Sequence, residues 1–584
     1  MQFDDVEYEL IEKILLGDGR FNSLQREFIE LFETKTIVAG PGAGKTTALA
    51  AKIVLLLRYL KKIGSKEGVC IITYTNVAIN EIHTTLQKAG IASISHPHFI
   101  GTLHEFFNRY CVLPFFKKEY NHNTLFFDEE SSNDLEFYKK FLMRRYSFMQ
   151  DGARAFIAEK IQESTLFFDS SRGCIDIENT SGWDKFERYR ADALQAKHSR
   201  KKQGFLQYDD TFMFSNLFLT NSHYSEMLRN RFKYIFIDEF QDTTPIGIEL
   251  LRRIFDSENN ILQIIGDPYQ TIMYGQPMPE IVENQVFKLN LTNRFGKEIS
   301  KPLNIIMPTV DIQTPEDKVS FAPIILLYEE ENQIYTAYKR IIKEYELQSQ
   351  TFKDNKKSDK VLVWNKRWTP RIKPGITYGN KRSKELETIS VQLKRLVIEF
   401  VCKKIRNDDE SFSELKKWVK NHERIMELNK LLLDFLKLGI ADERKQRLKV
   451  FINDLLQEKG VARINITNSI FREIDNILNC SDSRGVNGIE LTEDDVFTIH
   501  SVKGETLRSA LLVNFDDGPL TDILFHRYGI LSDISYQYTD HNLLYVAISR
   551  VTHLFVYALH KDLCTEEVRD KMKVDWIIKG LQGS

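Results

Sequence analysis

Short apolar runs alternate with longer amphipathic stretches along the chain, and this pattern predicts strands and helices in turn. Residues 1–34 have the periodicity of helices, and so do most of residues 105–205 and 376–490. Residues 105–205 show no clean strand pattern. The apolar residues predicted to form the core of the later segment are Leu431, Leu432, Phe435 and Leu436. Buried strands are predicted at residues 37–39, 69–75, 98–102, 234–237, 261–265, 286–291, 324–327, 361–364, 496–499, 511–515 and 554–558.

The order of these elements predicts an α/β protein with two domains, each interrupted by a mainly helical insertion. Short apolar strands that alternate with helices imply βαβ units and a parallel sheet. Basic clusters within 105–205 fit a solvated helix face as well as they fit a phosphate-contacting surface. The predicted segments are 1–104 with 206–300 and 301–375 with 491–584 for the two domains, and 105–205 and 376–490 for the insertions.

Composition narrows the class of protein without indicating a function. The 584 residues are too many for one hydrophobic core, and the net charge of −2 means that any nucleic-acid surface is local. The six cysteines are scattered without a CxxC pair, which argues against a disulfide framework or a zinc site and favours a reducing cytosol. No apolar run approaches the ~20 residues of a membrane helix. We therefore expect a soluble cytoplasmic protein with no membrane association.

Residues 36–51 read TIVAGPGAGKTTALAA, an apolar run followed by a glycine-rich loop and the start of a helix. Glycines allow backbone N–H groups to turn inward around a polyphosphate, and the helix N-terminus adds its positive dipole end. In this pattern Lys45 reaches the β- and γ-phosphates of a nucleotide, and the Thr46 hydroxyl binds Mg²⁺. Ala39 stands where the usual pattern has its first glycine, and the alternative interpretation is a glycine-rich turn that binds nothing. The predicted nucleotide-binding residues of this loop are Gly40, Gly42, Ala43, Gly44, Lys45, Thr46 and Thr47.

A second polar site follows the strand at residues 234–237, which ends directly in Asp238 and Glu239. Ligands of doubly wound sheets bind outside the carboxyl ends of the strands, so these acids are expected beside the phosphate loop. Asp238 is predicted to hold Mg²⁺, and Glu239 to orient or deprotonate an attacking water. The alternative for an isolated acidic pair is a solvated turn, but the presence of Lys45 in the same chain favours the catalytic interpretation.

An ordered series of motifs along nearly the whole chain resembles superfamily 1 helicases of the UvrD/Rep type. FNSLQRE resembles the family's adenine-reading motif, AGPGAGKTT its phosphate loop and DEFQDT its magnesium motif. ITYTNVAINEI and IGTLHEFFNRY resemble its DNA-contacting motifs TFTNKAA and GTFHS, and FTIHSVKGET resembles TxHxxKGLE. IIGDPYQTIMYG resembles GDxxQSIY, LTNRFGKEI the arginine motif that opens the second motor domain, and LLYVAISRVTH the motif LLYVAxTRA.

The resemblance implies two RecA-like parallel-sheet motor domains, 1A and 2A, with the insertions 1B and 2B, at the segments given above. It implies that Gln25 contacts adenine, although a bare glutamine there also fits ordinary helix surface, and that Gln270 couples the γ-phosphate to the DNA-contacting loop. Arg294 and Arg550 would act as arginine fingers from across the cleft. Glu505 would contact the ribose, although it follows the glycine of KGET directly. The implied DNA-binding residues are Tyr74, Thr75, Asn76, Thr102, His104, Tyr274, Thr498 and His500.

By this resemblance the chain is an ATP hydrolase and DNA helicase. It would use ATP and Mg²⁺ to translocate on single-stranded DNA and unwind tailed duplex DNA, with 3′→5′ polarity, in DNA processing or anti-phage defence. Met273 stands at the family's aromatic position, and the insertion at 376–490 is short for the family.

Short helicases of this type resemble the helicase subunit of Gabija-type anti-phage systems, which work beside a separate nuclease. A second hypothesis is therefore a regulatory subunit of a nuclease complex, which responds to ATP and DNA with little processive unwinding. An ATPase that acts on RNA or protein is a third interpretation.

Overall fold

The chain forms two compact units. The first contains residues 1–106, 221–379 and 492–584, and the second contains residues 107–220 and 380–491. Both segments of the second unit overlap the predicted helical insertions. The computed structural model describes residues 3–74, 76–91, 94–122, 125–127, 132–180, 182–273, 285–372, 389–405, 412–466, 470–478, 496–515 and 518–581.

Strands and helices alternate through the first unit, and helices predominate in the second. The strands are β1 (Lys35–Ala39), β2 (Gly68–Thr73), β3 (Phe99–Thr102), β4 (Phe126–Phe127), β5 (Thr165–Asp169), β6 (Cys174–Glu178), β7 (Phe205–Leu206), β8 (Phe232–Asp238), β9 (Ile261–Gly266), β10 (Val286–Leu289), β11 (Ile324–Tyr328), β12 (Asp359–Val363), β13 (Val496–Thr498), β14 (Leu507–Val513), β15 (Val551–His560) and β16 (Ile577–Gly580).

The helices begin with a pair that precedes the phosphate loop and end with one that follows the last long strand. They are α1 (Asp5–Leu15), α2 (Ser23–Glu30), α3 (Lys45–Lys62), α4 (Asn76–Lys88), α5 (Leu103–Phe107), α6 (Leu113–Tyr120), α7 (Ser132–Arg145), α8 (Asp151–Glu163), α9 (Phe186–Lys202), α10 (Asp210–Phe218), α11 (Ser222–Arg231), α12 (Pro245–Ile254), α13 (Lys297–Ile306), α14 (Ile334–Gln348), α15 (Gln350–Asp354), α16 (Thr369–Ile372), α17 (Ile389–Ile405), α18 (Phe412–Lys420), α19 (Ile425–Leu438), α20 (Asp442–Glu458), α21 (residues 470–478), α22 (Leu520–Arg527), α23 (Tyr538–Ser549) and α24 (Glu566–Met572).

The first sheet of the first unit has six parallel strands in the order β10-β1-β9-β8-β2-β3. Ile37 of β1 and Phe236 of β8 are fully buried in its core, as expected for parallel strands that are covered on both faces. β1 leads into the phosphate loop, and β8 ends in Asp238. Because β9 pairs in parallel with both strands, the loop and the acid lie at the same edge of the sheet. This sheet and its helices are called the first sheet domain below.

The helices that precede the phosphate loop are capped by side chains, whereas the helix that follows it is not. The Asp4 carboxylate accepts a hydrogen bond from the Glu7 N–H at 2.8 Å, and Asn22 accepts one from the Gln25 N–H at 2.9 Å. The N-cap of α3 is Gly44, which has no side chain to serve as a cap. The N-terminus of α3 therefore offers backbone N–H groups to a ligand at the phosphate loop.

The second sheet of the first unit also has six parallel strands, in the order β13-β12-β14-β15-β11-β16. Its side chains alternate between two buried layers, with Leu511 and Val513 of β14 in one layer and Leu512 in the other. Successive side chains of a strand point to opposite faces, so this alternation covers both faces with apolar side chains. We call this sheet with its helices the second sheet domain. The two sheets confirm the predicted α/β class with two RecA-like domains.

The second unit contains a β-hairpin that the sequence analysis does not predict, and the expectation of a first insertion without strands was wrong. β5 and β6 pair antiparallel over their full lengths. The turn between them is stabilised by Asp169, whose carboxylate accepts from the Ser171 N–H at 2.9 Å, and by Gly173 in the left-handed region at φ 64°. Each strand has only five residues, so its alternation is too short to stand out among helical segments.

The other pattern-based predictions agree with the structure apart from their boundaries. β14 begins at Leu507 rather than at residue 511, and the strands β4, β7 and β16 have no counterpart among the predicted strands. In the second unit, the predicted core residues Leu431, Leu432 and Phe435 are buried, and Leu436 packs partly buried against them. No helix in the described ranges combines the length and the apolar character that crossing a bilayer requires.

Candidate active site

The phosphate loop connects β1 to α3, and two of its glycines have left-handed backbone conformations. Gly42 has φ 76° and Gly44 has φ 73°. A Cβ atom at Gly42 would lie 2.4 Å from Cβ of Arg294 and 2.5 Å from Oγ1 of Thr292. The Asn293 N–H donates to the Gly42 carbonyl oxygen at 2.8 Å. Glycine is therefore required at position 42, both for its backbone conformation and because the 292–294 segment approaches so closely.

Lys45, the first residue of α3, forms ion pairs with both acids at the end of β8. Its Nζ lies 2.9 Å from Oδ1 of Asp238 and 2.5 Å from Oε1 of Glu239. Burial opposes the positive charge of Lys45, but the two carboxylates outweigh it and raise the lysine pKa. Burial also raises the pKa of Asp238, whereas at Glu239 its effect is outweighed by Lys45 and Gln241, which lower the pKa. Lys45 is thus a cation and Glu239 an anion at neutral pH.

Glu239 has a left-handed backbone conformation, with φ 54°. Its carboxylate accepts a hydrogen bond from the side-chain amide of Gln241. The amide oxygen of Gln241 in turn accepts from the Asp267 N–H at 3.2 Å. Residues other than glycine adopt positive φ mainly where the surrounding structure holds them there, and such positions cluster at functional sites. These contacts direct the Glu239 carboxylate into the space in front of the phosphate loop.

The donor set beside Lys45 suits a hydrated magnesium ion bound to a nucleotide. Oδ2 of Asp238 is buried and has no hydrogen-bond partner among the residues that the structure describes. Thr46 lines the same cavity and supplies a hydroxyl. Mg²⁺ in phosphate sites typically takes one or two protein oxygens and completes its shell with water and phosphate. A cluster of three or more His, Cys, Asp or Glu side chains, which a protein-only metal site would need, is absent from the described ranges.

Two arginines reach this cavity at the junction with the second sheet domain. Arg294, which follows the first sheet, donates from Nη1 to the Ser549 carbonyl oxygen at 2.8 Å. Arg550 at the end of α23 is almost fully buried, and its Nε donates to the Val546 carbonyl oxygen at 3.2 Å. Burial and the charge of Arg550 lower the pKa of Arg294 to about 9, so Arg294 remains a cation at neutral pH, and burial also lowers the pKa of Arg550. Two positive charges are therefore held at the domain junction.

Gln270 connects the second arginine to the first sheet domain. Its amide oxygen accepts from Nη2 of Arg550 at 3.2 Å, and its amide nitrogen donates to Oδ2 of Asp267 at 2.8 Å. The Tyr545 hydroxyl of α23 donates to the same carboxylate oxygen at 3.1 Å. Burial raises the pKa of Asp267 to about 6, although these donors stabilise its anion. The network joins the two domains through hydrogen bonds between side chains.

The phosphate loop, Lys45, Glu239, Gln270 and the two arginines line one cavity of about 520 Å³. Asp238 lies behind it, in contact with Lys45. The predicted residues that the cavity brings together are Gly40, Gly42, Ala43, Gly44, Lys45, Thr46, Thr47, Glu239, Gln270, Arg294 and Arg550. The further lining residues are Ala39, Pro41, Asp267, Asn293, Lys357, Gly504 and Thr506. Asp267 could have been found from its sequence, because it follows β9 as Asp238 ends β8, whereas no motif points to Lys357.

Two predicted nucleotide contacts lie outside the lining of this cavity. Gln25 is buried and its side chain contacts the phosphate loop: its amide nitrogen donates to the Ala43 carbonyl oxygen at 2.9 Å, and its amide oxygen accepts from the Asn22 N–H at 3.0 Å. Glu505 forms an ion pair with Nζ of Lys360 at 2.7 Å. Gln25 therefore supports the loop through its amide, and Glu505 faces a lysine of the second sheet domain.

The predicted DNA-binding residues fall at the ends of strands in both sheet domains. Tyr74 follows β2 and is 53% exposed, and Thr102 ends β3 with its hydroxyl accepting from the Glu105 N–H at 3.2 Å. His104 lies half-buried in α5. In the second sheet domain, Thr498 is buried at the end of β13, and His500 is exposed with Nε2 3.0 Å from the Ile272 carbonyl oxygen. Among the remaining predicted residues, Asn76 begins α4, and Thr75 and Tyr274 lie outside the described residues.

An open groove of about 600 Å³ adjoins the predicted residues of the second sheet domain. It follows the end of β12, where an aromatic side chain lies beside an amide and two cations. The sequence pattern predicts only that a strand ends at Trp364. The residues that line the groove are Trp364, Asn365, Lys366, Arg367, Thr498, His500 and Ser501. Such a combination of an indole ring with basic side chains is typical of surfaces that bind single-stranded nucleic acid.

Comparison with known proteins gives a family match over the N-terminal part of the chain. Residues 21–275 match the family described as UvrD/REP helicase N-terminal domain. A probable DNA helicase II homolog from Mycoplasma capricolum subsp. capricolum is 25% identical over 277 residues, which cover 46% of this chain and 36% of that protein.

Two further relatives give a similar result. The putative ATP-dependent DNA helicase YjcD of Bacillus subtilis is 25% identical over 247 residues, 40% of this chain and 30% of the relative. The ATP-dependent DNA helicase Rep of Buchnera aphidicola subsp. Baizongia pistaciae is 26% identical over 265 residues, 43% and 36% respectively. The matched part of the chain thus spans about a third of the length of these curated relatives.

Proposed function

We propose that this UvrD-like chain, whose residues 21–275 match the UvrD/REP helicase N-terminal domain, is an ATP-driven motor on DNA. In this proposal it hydrolyses ATP, translocates on single-stranded DNA with 3′→5′ polarity and unwinds tailed duplex DNA in the cytoplasm. The observation that carries the proposal is a cavity to which the first sheet domain contributes Lys45 and Glu239 and the second contributes Arg550.

The ATP polyphosphate would bind at the phosphate loop and draw Lys45 away from its two carboxylates. Lys45 now makes ion pairs with Asp238 and Glu239, so an anionic ligand competes with these acids for the ammonium group. The left-handed glycines leave the loop N–H groups free of Cβ atoms, and the start of α3 adds a positive dipole end. Thr46 and Asp238 would hold Mg²⁺, which neutralises phosphate charge when it is bound with ATP.

Glu239 is the proposed general base. Its pKa is lowered by Lys45 and Gln241, so its carboxylate is ionised and can accept a proton from the attacking water. Arg294 and Arg550 would stabilise the charge that develops on the transferred phosphoryl group. Gln270, which accepts a hydrogen bond from Arg550, would report the state of the γ-phosphate to the neighbouring chain segment. Each of these residues acts on the same small volume of the cavity.

Movement would follow from the fact that the catalytic charges belong to two domains. Arg550 is part of the second sheet domain, and its interaction with a γ-phosphate would draw that domain toward the phosphate loop. Loss of phosphate after hydrolysis would weaken this interaction and let the domains part. Repeated closing and opening moves a motor if each domain also holds the DNA strand.

The DNA strand would lie along the exposed ends of the β-strands in both sheet domains. Tyr74 and Trp364 offer rings for bases, and His500 and Lys366 offer polar and charged groups for phosphates. Stacking of bases on aromatic side chains is tolerant of sequence and contributes about 1–3 kcal/mol per base.

The Trp364→Ala chain should therefore bind a single-stranded oligonucleotide about tenfold more weakly in a fluorescence anisotropy titration. Equal affinity would remove Trp364 from the proposed DNA path.

A direct test of the proposal is ATP hydrolysis by the purified chain with and without single-stranded DNA. DNA should stimulate hydrolysis, and Lys45→Ala should abolish it because the phosphates lose their lysine. Lys62→Ala, at the exposed end of the same helix, is the matched control and should hydrolyse ATP normally. Strand displacement on duplexes with 3′ or 5′ tails then tests unwinding and polarity. Hydrolysis that persists in the Lys45→Ala chain would refute the proposed site.

A second candidate function is a regulatory subunit that responds to ATP and DNA beside a separate nuclease, in anti-phage defence. The observation that favours it is Met273, a flexible side chain that is 54% exposed where the UvrD/Rep family has an aromatic ring. A weaker stacking partner would limit stepping along DNA while leaving nucleotide binding intact. Co-purification from the native host distinguishes the two functions. Robust unwinding by the isolated chain, with no nuclease retained, would favour the motor.

A further inference from the structure

We propose that Lys357 is an additional nucleotide-binding residue, which contacts the phosphates of ATP from the second sheet domain. The inference rests on the proposed function, since it assigns another group to the same ATP site. Lys357 lies in the connection between α15 and β12, outside every motif that the sequence analysis identifies. It lines the cavity together with Lys45, Arg294 and Arg550.

The backbone around Lys357 is fixed by hydrogen bonds on both sides. The Lys357 N–H donates to Oδ1 of Asn355 at 3.0 Å, and the amide nitrogen of Asn355 donates to Oγ1 of Thr552 at 3.3 Å. On the other side, the Arg508 N–H donates to the Ser358 carbonyl oxygen at 2.8 Å. Thr552 lies two residues after Arg550, so the loop that carries Lys357 is tied to the strand that follows the arginine. The lysine is therefore placed together with Arg550 when the second domain approaches the phosphate loop.

Among the residues that the structure describes, no acid neutralises the charge of Lys357. Within the described ranges, none of Lys357, Arg294 and Arg550 forms an ion pair with a carboxylate. Other lysines of this region differ: Lys360 pairs with Glu505 at 2.7 Å, and Lys503 pairs with Asp242 at 2.5 Å. Burial lowers the pKa of Lys357, and the charges of Arg294 and Lys318 lower it further.

A polyphosphate is the ligand that best satisfies this arrangement. The cations that line the cavity exceed the acids available to them, because Glu239 already pairs with Lys45 and Asp267 accepts hydrogen bonds from Gln270 and Tyr545. An anion with several charges would relieve the repulsion between Lys357 and Arg294 and bridge the two domains. Lysine meets phosphate as a flexible point charge, which suits a group at the edge of a cavity that opens and closes.

The test is equilibrium binding of the non-hydrolysable ATP analogue AMP-PNP, with Mg²⁺, to the full chain by isothermal titration calorimetry. Lys357→Met keeps the aliphatic stem and removes the charge, and we expect it to weaken binding about tenfold at low salt. Lys357→Arg should restore most of the affinity. Lys356→Met is the matched control, because Lys356 is an exposed neighbour that does not line the cavity, and it should bind as the unaltered chain does.

Salt separates a phosphate contact from damage to the loop. The loss caused by Lys357→Met should shrink at high salt, since screening weakens an interaction between a lysine and a phosphate. Affinity equal to that of the Lys356→Met chain would overturn the inference. A loss that is independent of salt and is not restored by arginine would also overturn it, because it would indicate a structural role for the side chain.

Binding of AMP-PNP to the Lys45→Ala chain, measured in parallel, distinguishes a failure of the inference for Lys357 from a failure of the proposed ATP site. If the unaltered chain does not bind AMP-PNP, or if Lys45→Ala binds it equally well, the ATP site itself is wrong. Binding that depends on Lys45 and is indifferent to Lys357 overturns only the inference made here for Lys357.

Discussion

Glu239 is the residue at which the local backbone and the proposed chemistry are most closely connected. A residue other than glycine adopts a left-handed backbone conformation at a cost of roughly 1–2 kcal/mol, and Glu239 does so with φ 54°. Its contacts with Lys45 and Gln241 hold the carboxylate in place against this cost. The position of the carboxylate is therefore a property of the folded site, and its function can be tested without moving it.

Replacing Glu239 with glutamine should reduce DNA-stimulated ATP hydrolysis by about a hundredfold or more, because the amide has no proton affinity to activate water. Binding of ATP should persist, since Lys45 and the phosphate loop are unchanged. The measurement combines steady-state hydrolysis with nucleotide binding. Glu249→Gln on the exposed side of α12 serves as the control. Vigorous hydrolysis by the Glu239→Gln chain would show that another group is the base.

Asp267 makes the stability of the first unit depend on pH. Burial raises its pKa from 3.8 to about 6 in the folded chain, so the folded state binds a proton more tightly than the unfolded state. Ionised Asp267 therefore costs stability above about pH 6, and this cost disappears as the pH falls toward 4. The difference between the pKa values of Asp267 in the folded and unfolded chain corresponds to a loss of about 3 kcal/mol at most in the free energy of unfolding.

The Asp267→Asn chain should lack the part of the pH dependence of stability that the ionisation of Asp267 causes. Its midpoint of thermal unfolding, relative to that of the unaltered chain, should be higher at pH 8 than at pH 4, because only the unaltered chain carries the buried charge. Any hydrogen bond lost to the new amide shifts the midpoint equally at both pH values. A difference between the two chains that does not change with pH would mean that Asp267 titrates normally.

Among the elements, α2 and α3 illustrate how packing prepares the phosphate loop. Lys52 of α3 is fully buried and donates from Nζ to the Phe28 carbonyl oxygen at 2.8 Å, at the end of α2. Gln25 of α2 donates to the Ala43 carbonyl oxygen of the loop. Burial lowers the pKa of Lys52 well below its usual range. The loop is thus held from behind by α2, the helix whose Gln25 the family resemblance implies as an adenine contact.

The hairpin of β5 and β6 stabilises the second unit through its buried face. Ile177 is 1% exposed and packs with Tyr138 and Ile161, whereas Phe167 of the paired strand is 37% exposed. Ile177→Ala should destabilise this unit by about 2–5 kcal/mol, because it leaves a cavity in the core. Phe167→Ala should change stability little. Unfolding in urea, followed by circular dichroism, measures both, and equal effects would contradict the assigned packing.

On the scale of the whole first unit, several contacts join the second sheet domain to the chain around Gln270. The Asn542 amide donates to the Thr271 carbonyl oxygen at 2.8 Å, and the Tyr538 hydroxyl donates to the Pro268 carbonyl oxygen at 2.7 Å. Lys503 and Asp242 form an ion pair of 2.5 Å whose side chains are 21% and 13% exposed. A partly buried pair of this kind is screened less by solvent than a surface pair.

The Lys503→Met chain should hydrolyse ATP several-fold more slowly than the unaltered chain, because removing this pair weakens the contact between the two sheet domains. Lys561→Met is the control: its pair with Glu329 lies within the second domain and is largely exposed. Exchanging the charges of Asp242 and Lys503 should restore part of the rate. If both methionine variants hydrolyse ATP equally fast, the pair does not contribute to domain closure.

The two sheets were predictable from the sequence, and most of the nucleotide-site residues selected from the sequence line one cavity; the features that were missed have local causes. Phosphate-loop glycines, Lys45 and Asp238 are recognisable because their spacing along the chain is fixed by the ligand chemistry. Lys357 carries no such pattern, since it is close to the cavity only through the folding of a connecting segment. The β5–β6 hairpin was missed because five-residue strands give little periodicity.

By itself the sequence determined the parallel α/β architecture and the position of the phosphate loop, because apolar periodicity and glycine spacing are local properties of the chain. The tertiary structure alone decided that Gln25 supports the loop, that Glu505 pairs with Lys360 and that Lys357 joins the cavity. Folding within each sheet domain brings Gln25 to Ala43 and Glu505 to Lys360, and only the packing of the two sheet domains brings Lys357 to the cavity of Lys45. Local pattern thus determined the elements, and packing determined which charged groups share a site.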